Sequence, residues 1–195
     1  MTSEELVQSS CDIIGKLEQN NNEIIQCVKY IIDLKPHNIL EIGTRKGGTF
    51  HIWCSLATGK RISVDLCEEM SLEEVVERNK KINERFDRVY FIQGNSHDGH
   101  ILNRVKKVLK GELLDFLFID GEHINDGPEK DYQMYSPLVR AGGIIGFHDI
   151  GEMTNNGWGG HPYDDWQRIK KQYASDKIIE IIEQYDYKGI GLIKL

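Results

Sequence analysis

The sequence has little of what several protein classes require. Its 195 residues include four cysteines, Cys11, Cys27, Cys54 and Cys67, and no two of them form a CxxC pair or stand at zinc-module spacing. Free thiols in apolar surroundings are therefore expected, in a reducing cytoplasm. No apolar run approaches the roughly 20 residues needed to cross a bilayer, and no signal-peptide pattern precedes the first helical stretch. A membrane partner is not expected. Positive charge is also scarce, with 24 Lys and Arg against 31 Asp and Glu and a net charge of -7. Binding a phosphate backbone needs clustered Lys and Arg, so no nucleic-acid partner is expected. The short basic run Arg104–Lys107 reads as the wet face of a helix.

What is present suits one domain with a sizeable core, since 39% of residues are hydrophobic and 28% charged. Apolar residues at helical spacing predict helices over Glu4–Glu18 and Asn22–Leu34, with Asn22 as a cap and Lys35-Pro36-His37 as the stop. These two helices, residues 1–37, are expected to pack on a main domain of residues 38–195, as a lid or against a sheet. From there strands alternate with helices. Strands are predicted at Ile39–Ile42, Arg61–Val64, Val89–Ile92, Leu114–Ile119, Gly142–Phe147, Ile178–Ile182 and Gly189–Ile193. Helices are predicted at Gly47–Leu56, Leu72–Phe86, Ile101–Leu109, after Pro128, and at Trp166–Tyr173. Alternation of this kind predicts a parallel sheet covered on both faces. The last connection is too short for a crossover helix, so the final two strands should be antiparallel. The expected fold is α/β, a doubly wound, mostly parallel seven-stranded sheet with a C-terminal antiparallel hairpin.

In such sheets ligands bind beyond the carboxyl ends of the strands. Those ends read Glu41-Ile42-Gly43, Asp65, Gly94-Asn95-Ser96, Asp120 and His148-Asp149. Carboxylates there are costly unless a ligand, metal or donor meets them. The first end opens a turn, Gly43-Thr44-Arg45-Lys46-Gly47-Gly48. A dinucleotide fingerprint is GxGxxG, and here Arg45 stands where the middle glycine would admit a pyrophosphate. Glu41 would repel a phosphate but suits a cationic amino group. Asp65, 22 residues beyond Gly43, is placed to accept from both hydroxyls of a ribose.

The runs EIGTRKGGT, Val64-Asp65 and QGNSHD resemble class I methyltransferases that use S-adenosylmethionine. The resemblance covers roughly Leu34 to Leu195. It implies that Glu41, Gly43, Thr44 and Gly47 flank the methionine part of that cofactor, that Asp65 binds its ribose, and that Asn95 and Ser96 pack on its adenine. LLDFLFIDGEH and LVRAGGIIGFHDI resemble a branch of small-molecule and sugar O-methyltransferases and cephalosporin hydroxylase-like proteins. That resemblance implies a divalent metal held by Asp120, His148 and Asp149. Relatives often carry Asp where this chain has His148, which leaves magnesium and a transition metal both open. Asp120 and His123 are the expected catalytic pair, with His123 as the base that takes the hydroxyl proton.

The glycine-rich stretch Gly151–Tyr163 reads as a lid or acceptor wall, with Trp158 available for stacking and His161 near the metal. Asp164 or Asp165 would cap the next helix, and Trp166 belongs in the core. His97 and Asp98 read as caps. The expected function is transfer of the methyl group of S-adenosylmethionine to a hydroxyl of a small-molecule acceptor, with metal assistance. A nicotinamide-dependent oxidoreductase and a non-catalytic nucleoside-binding protein stay open as alternatives, as does a homo-oligomer.

Overall fold

The computed structural model describes residues 1–124, 126–152, 162–183 and 188–195. Trp158 and His161 lie outside the described residues. The chain begins with α1 (Ser3–Ile13), entered through a capping box in which Thr2 and Glu5 exchange side-chain and backbone bonds. The predicted helix ran on to Glu18. It stops earlier, because Gly15 leaves the helical path with a φ of +119°, and Leu17 then buries itself against Gly48. Asn20, rather than Asn22, caps α2 (Asn21–Leu34), which ends at a left-handed Lys35.

The alternating part runs β1 (Ile39–Ile42), α3 (Gly48–Leu56), β2 (Arg61–Asp65), α4 (Leu72–Asn83), β3 (Val89–Gln93), α5 (Gly99–Leu109), β4 (Leu114–Ile119), α6 (Gly127–Tyr135), β5 (Val139–His148), α7 (Pro162–Lys170), β6 (Ile178–Ile181) and β7 (Ile190–Lys194). Among the described residues the strands form one sheet in the order β3-β2-β1-β4-β5-β7-β6. β3 to β5 are parallel to one another, and β7 is antiparallel to both β5 and β6. β5 begins three residues earlier than predicted, pairing Val139 with Leu114 across a register shift in β4. α7 starts at Pro162, so Asp164 and Asp165 sit in its first turn instead of capping it.

Period-two alternation divides the core. Ile39, Phe116 and Phe118 face α1, α2 and α3, where Trp53 packs edge-on to Phe116 with ring centroids 5.1 Å apart. Leu40, Ile42, Leu117 and Ile119 face α5, α6 and α7, where Tyr135 and Trp166 are fully buried. The first two helices therefore flank the sheet. Glu23 of α2 carries its buried carboxylate to the base of the β6–β7 connection, accepting from the backbone N–H groups of Glu183 (3.0 Å) and Gly189 (3.1 Å). None of the described helices is long and apolar enough to cross a membrane.

Candidate active site

The strand order reverses between β1 and β4, and a cavity of about 630 Å³ opens at the carboxyl ends there. That size falls in the range of small-molecule sites. Gly43, Asp65, Asn95, Ser96, Asp120, His123, His148 and Asp149 all line it. The structure thus brings together most of the residues picked from the strand ends. It does not bring in Glu41, Thr44 or Gly47.

The reason for Glu41 is parity. It shares a strand face with Ile39, so its side chain points into the layer of α3. There Oε1 accepts from the indole N–H of Trp53 (3.1 Å), while Oε2 is buried with no hydrogen-bond partner among the described residues. Burial, with the charge of Asp120 adding to it, pushes the carboxyl up to about 8. Thr44 is buried and shares a hydrogen bond with Ser63 (2.7 Å). Gly47 takes the left-handed N-cap position of α3. Thr44 and Gly47 border a small recess beside Leu17 and Gly48.

Gly43 lines the cavity, and the packing there also requires a glycine. Its φ is +85°, and a Cβ there would lie 1.9 Å from the backbone oxygen of Asp120. The glycine lets the ends of β1 and β4 close on each other, which sets the floor of the cavity. Asp65 is held from both sides: Oδ2 accepts from the Arg45 N–H and Oδ1 from the Cys67 N–H, both at 2.6 Å. Each oxygen keeps a lone pair for a ligand hydroxyl. Arg45, Cys67 and Asp149 have left-handed backbone, with φ of 44°, 60° and 58°, and all three border the cavity. Strain of this kind concentrates at functional sites. Asn95 accepts from the His97 N–H (2.8 Å), and the carbonyl of Ser96 accepts from the Tyr135 hydroxyl (2.8 Å), so this loop is fixed from beneath.

On the other side stand two carboxylates and two imidazoles. His148 Nδ1 donates to Asp120 Oδ1 (3.0 Å) and lies 3.2 Å from Asp149 Oδ2. His123 Nε2 lies 3.3 Å from Asp149 Oδ2 and 3.7 Å from Asp120 Oδ1. Burial alone would lower the His148 imidazole, but Asp120 and Asp149 override it and push it up to about 10. Burial likewise opposes ionisation of Asp120, and the two histidines outweigh it, holding the carboxyl well below the usual range. The hydrogen bond to Asp120 raises His123. Ligand atoms of Asp120, His123 and Asp149 all come within 4.8 Å of one another, close enough to share one ion. A second acidic group, Asp126, Glu129 and Asp165, is already closed by Arg168, which pairs with all three.

Several residues at this edge carry no signal in sequence. Gln19 and Glu18, from the α1–α2 linker, and Lys188, from the end of the β6–β7 connection, line the cavity far from any motif. His97, read as a cap, instead lies between acids: Nε2 is 3.3 Å from the buried Asp131 and Nδ1 is 3.4 Å from Glu122 on the cavity wall. Asp131 raises its pKa. Of the cysteines, Cys27 and Cys54 are buried, while Cys11 and Cys67 are partly exposed, and all four are free.

A parallel sheet with this strand order, an antiparallel last strand pair and acids at the ends of β2 and β4 defines the nucleoside-binding fold of class I methyltransferases. A family profile described as "Methyltransferase domain" matches residues 40–150. This chain belongs to that family. An uncharacterized protein of Acanthamoeba polyphaga mimivirus is 31% identical over 112 residues, which is 56% of this chain and 50% of that relative. The chain thus matches half the length of that relative. Among solved structures, the O-methyltransferase TomG from Streptomyces achromogenes, involved in tomaymycin synthesis and in complex with SAM, has a TM-score of 0.70. It is 13% identical, with 98% of this chain and 89% of that one covered. The mycinamycin-pathway methyltransferase MycE, in complex with Mg, SAH and mycinamycin VI, has a TM-score of 0.66 at 19% identity, covering 100% of this chain and 54% of that one. These likenesses establish a shared fold.

Proposed function

We propose that this chain transfers the methyl group of S-adenosylmethionine to a hydroxyl of a small molecule, with a divalent cation held by Asp120, Asp149 and His123. One observation carries the reading. The ends of β2 and of β4 and β5 flank β1 and open into the same cavity, with a tethered carboxylate on one side and a cation-sized donor set on the other. The bound complexes of the two solved relatives, one with SAM and one with Mg and SAH, support the same pair of ligands.

Asp65 would accept from the ribose hydroxyls, and its two backbone bonds orient it for that before any ligand arrives. Asn95 and Ser96 would form the base side of the site, with Leu66 and Ile124 as apolar wall. The donor set of two carboxylates and an imidazole fits Mn²⁺ or another transition metal better than Mg²⁺, which takes oxygen ligands. Such an ion, when bound, lowers the pKa of a coordinated hydroxyl and fixes its position. His148 fits the part of ligand less well than His123. His148 is buried behind the two carboxylates, whereas the His123 side chain is 47% exposed. His148 instead helps hold the Asp120 carboxyl ionised. In this reading His123 would bind the ion rather than act as a free-standing base, and the proton of the ion-bound hydroxyl would pass to water. Arg45, with its left-handed backbone in the place of a fingerprint glycine, disfavours a nicotinamide dinucleotide. The free thiols are consistent with a cytoplasmic setting.

The test combines calorimetric titration with S-adenosylhomocysteine and with NAD, and a radiolabelled methyl-transfer assay over catechols and sugars with Mg²⁺, Mn²⁺ or EDTA. Binding of the homocysteine product together with transfer that EDTA abolishes is expected. Binding of NAD alone, or transfer indifferent to EDTA, would remove the cofactor or the metal from the proposal.

A further inference from the structure

The α1–α2 linker makes contacts that a plain connection does not need. Leu17 fills the space left by Gly48, where a Cβ would sit 2.3 Å from Leu17 Cδ2. The Ser10 hydroxyl donates to the Gly48 carbonyl (2.8 Å). Glu18 pairs with Arg45 (3.3 Å) and Lys46 (3.2 Å), and its carbonyl accepts from Lys188 Nζ (2.5 Å). Residue 18 is thereby fixed on three sides. The next side chain, Gln19, reaches across the cavity edge and donates from Nε2 to Asp120 Oδ2 at 2.6 Å, linking positions 101 residues apart.

Asp120 is consequently divided between two sides. Oδ2 belongs to Gln19, and Oδ1 faces His148 and His123. A carboxylate free to rotate would offer an ion a changing set of oxygens. One whose second oxygen is tied to an amide presents a fixed edge. Partners of this kind, one step out from the ion, orient the ligands and tune affinity.

We infer that Gln19 is a positioning residue of the cation site, delivered by the N-terminal linker, so that the first two helices complete the site as well as cover the sheet. The inference rests on the cation reading above. It assigns Gln19 no contact with acceptor or cofactor; its action runs through Asp120.

The test is Mn²⁺ binding to the full chain with no cofactor or acceptor present, followed by the electron paramagnetic resonance signal of free Mn²⁺, beside thermal melting. Gln19→Ala should weaken Mn²⁺ binding by about 10- to 100-fold with the melting temperature unchanged. Gln19→Asn, whose amide is one methylene short, should lose the same affinity, because reach rather than polarity is what matters. Equal Mn²⁺ affinity in wild type and Gln19→Ala overturns the inference and leaves the cation site standing. A loss of affinity that follows a fall in melting temperature in both variants also overturns it, since that is a structural effect. Absence of Mn²⁺ binding to the wild-type chain overturns the cation site itself, and this inference with it.

Discussion

Glu41 is the residue for which motif and geometry diverge most, and Glu41→Gln measures the divergence. The buried carboxyl is pushed from 4.5 to about 8. Each pH unit of difference between folded and unfolded pKa is worth about 1.4 kcal/mol. The sign follows from proton binding. The folded chain holds a proton on Glu41 that the unfolded chain releases near 4.5, so the wild type is favoured below that pH and loses stability as pH rises through about 8. Gln does not titrate, and its Oε1 can still accept from Trp53. Relative to the wild type, Glu41→Gln should gain under about 1 kcal/mol at pH 5 and about 4 kcal/mol more at pH 9. For a chain of this size that corresponds to a melting shift of order 10 °C at the higher pH. Urea denaturation of both proteins at the two pH values reads the difference directly. A pH-independent difference, or a destabilised variant at pH 9, would refute the reasoning. The same variant should bind S-adenosylhomocysteine within about twofold of wild type. A loss of tenfold or more would put the carboxylate back beside the cofactor's amino group.

Three further outcomes follow from the geometry. Asp65→Ala should weaken S-adenosylhomocysteine binding by roughly 10- to 100-fold, the worth of hydrogen bonds to a charged group, while leaving Mn²⁺ affinity intact; calorimetry that finds less than a threefold change would contradict the ribose assignment. Gly43→Ala combines a disfavoured φ with a backbone collision and should cost about 3 kcal/mol or more, seen as a melting temperature lower by roughly 10 °C. His51 is buried with neither ring nitrogen partnered among the described residues, and burial lowers it to about 4. Its folded pKa lies below the unfolded one, so the wild type loses stability as pH falls from 6.5 through about 4. His51→Leu should abolish up to roughly 3 kcal/mol of that acid loss, and a variant with the same slope of stability against pH would contradict this.

How far the sequence was legible depends on the range of each interaction. β4 could be read because five of the six residues of Leu114–Ile119 are apolar, Asp115 being the exception, and Asp120 then closes the run. The same logic located Asp65 and His148-Asp149, and the short span between β6 and β7 required an antiparallel pair. The orientation of Glu41 was available from strand parity with Ile39 but was hidden by the motif around it. The reason for Gly43 was not available, because the Asp120 backbone it accommodates comes from a strand far along the chain. The divided roles of His123 and His148 depend on exposure, which adjacent letters do not carry. Gln19 illustrates the limit most clearly, since a glutamine in a polar linker has no local pattern that points to Asp120.

The central claim is that one cavity holds the cofactor on the β2 side and a cation on the β4–β5 side. Crystals grown with S-adenosylhomocysteine and Mn²⁺, measured at the manganese edge, test it most directly. The account predicts ribose density against Asp65 and an anomalous peak among Asp120, Asp149 and His123. A peak among Asp126, Glu129 and Asp165, or a cavity without the nucleoside, would contradict it.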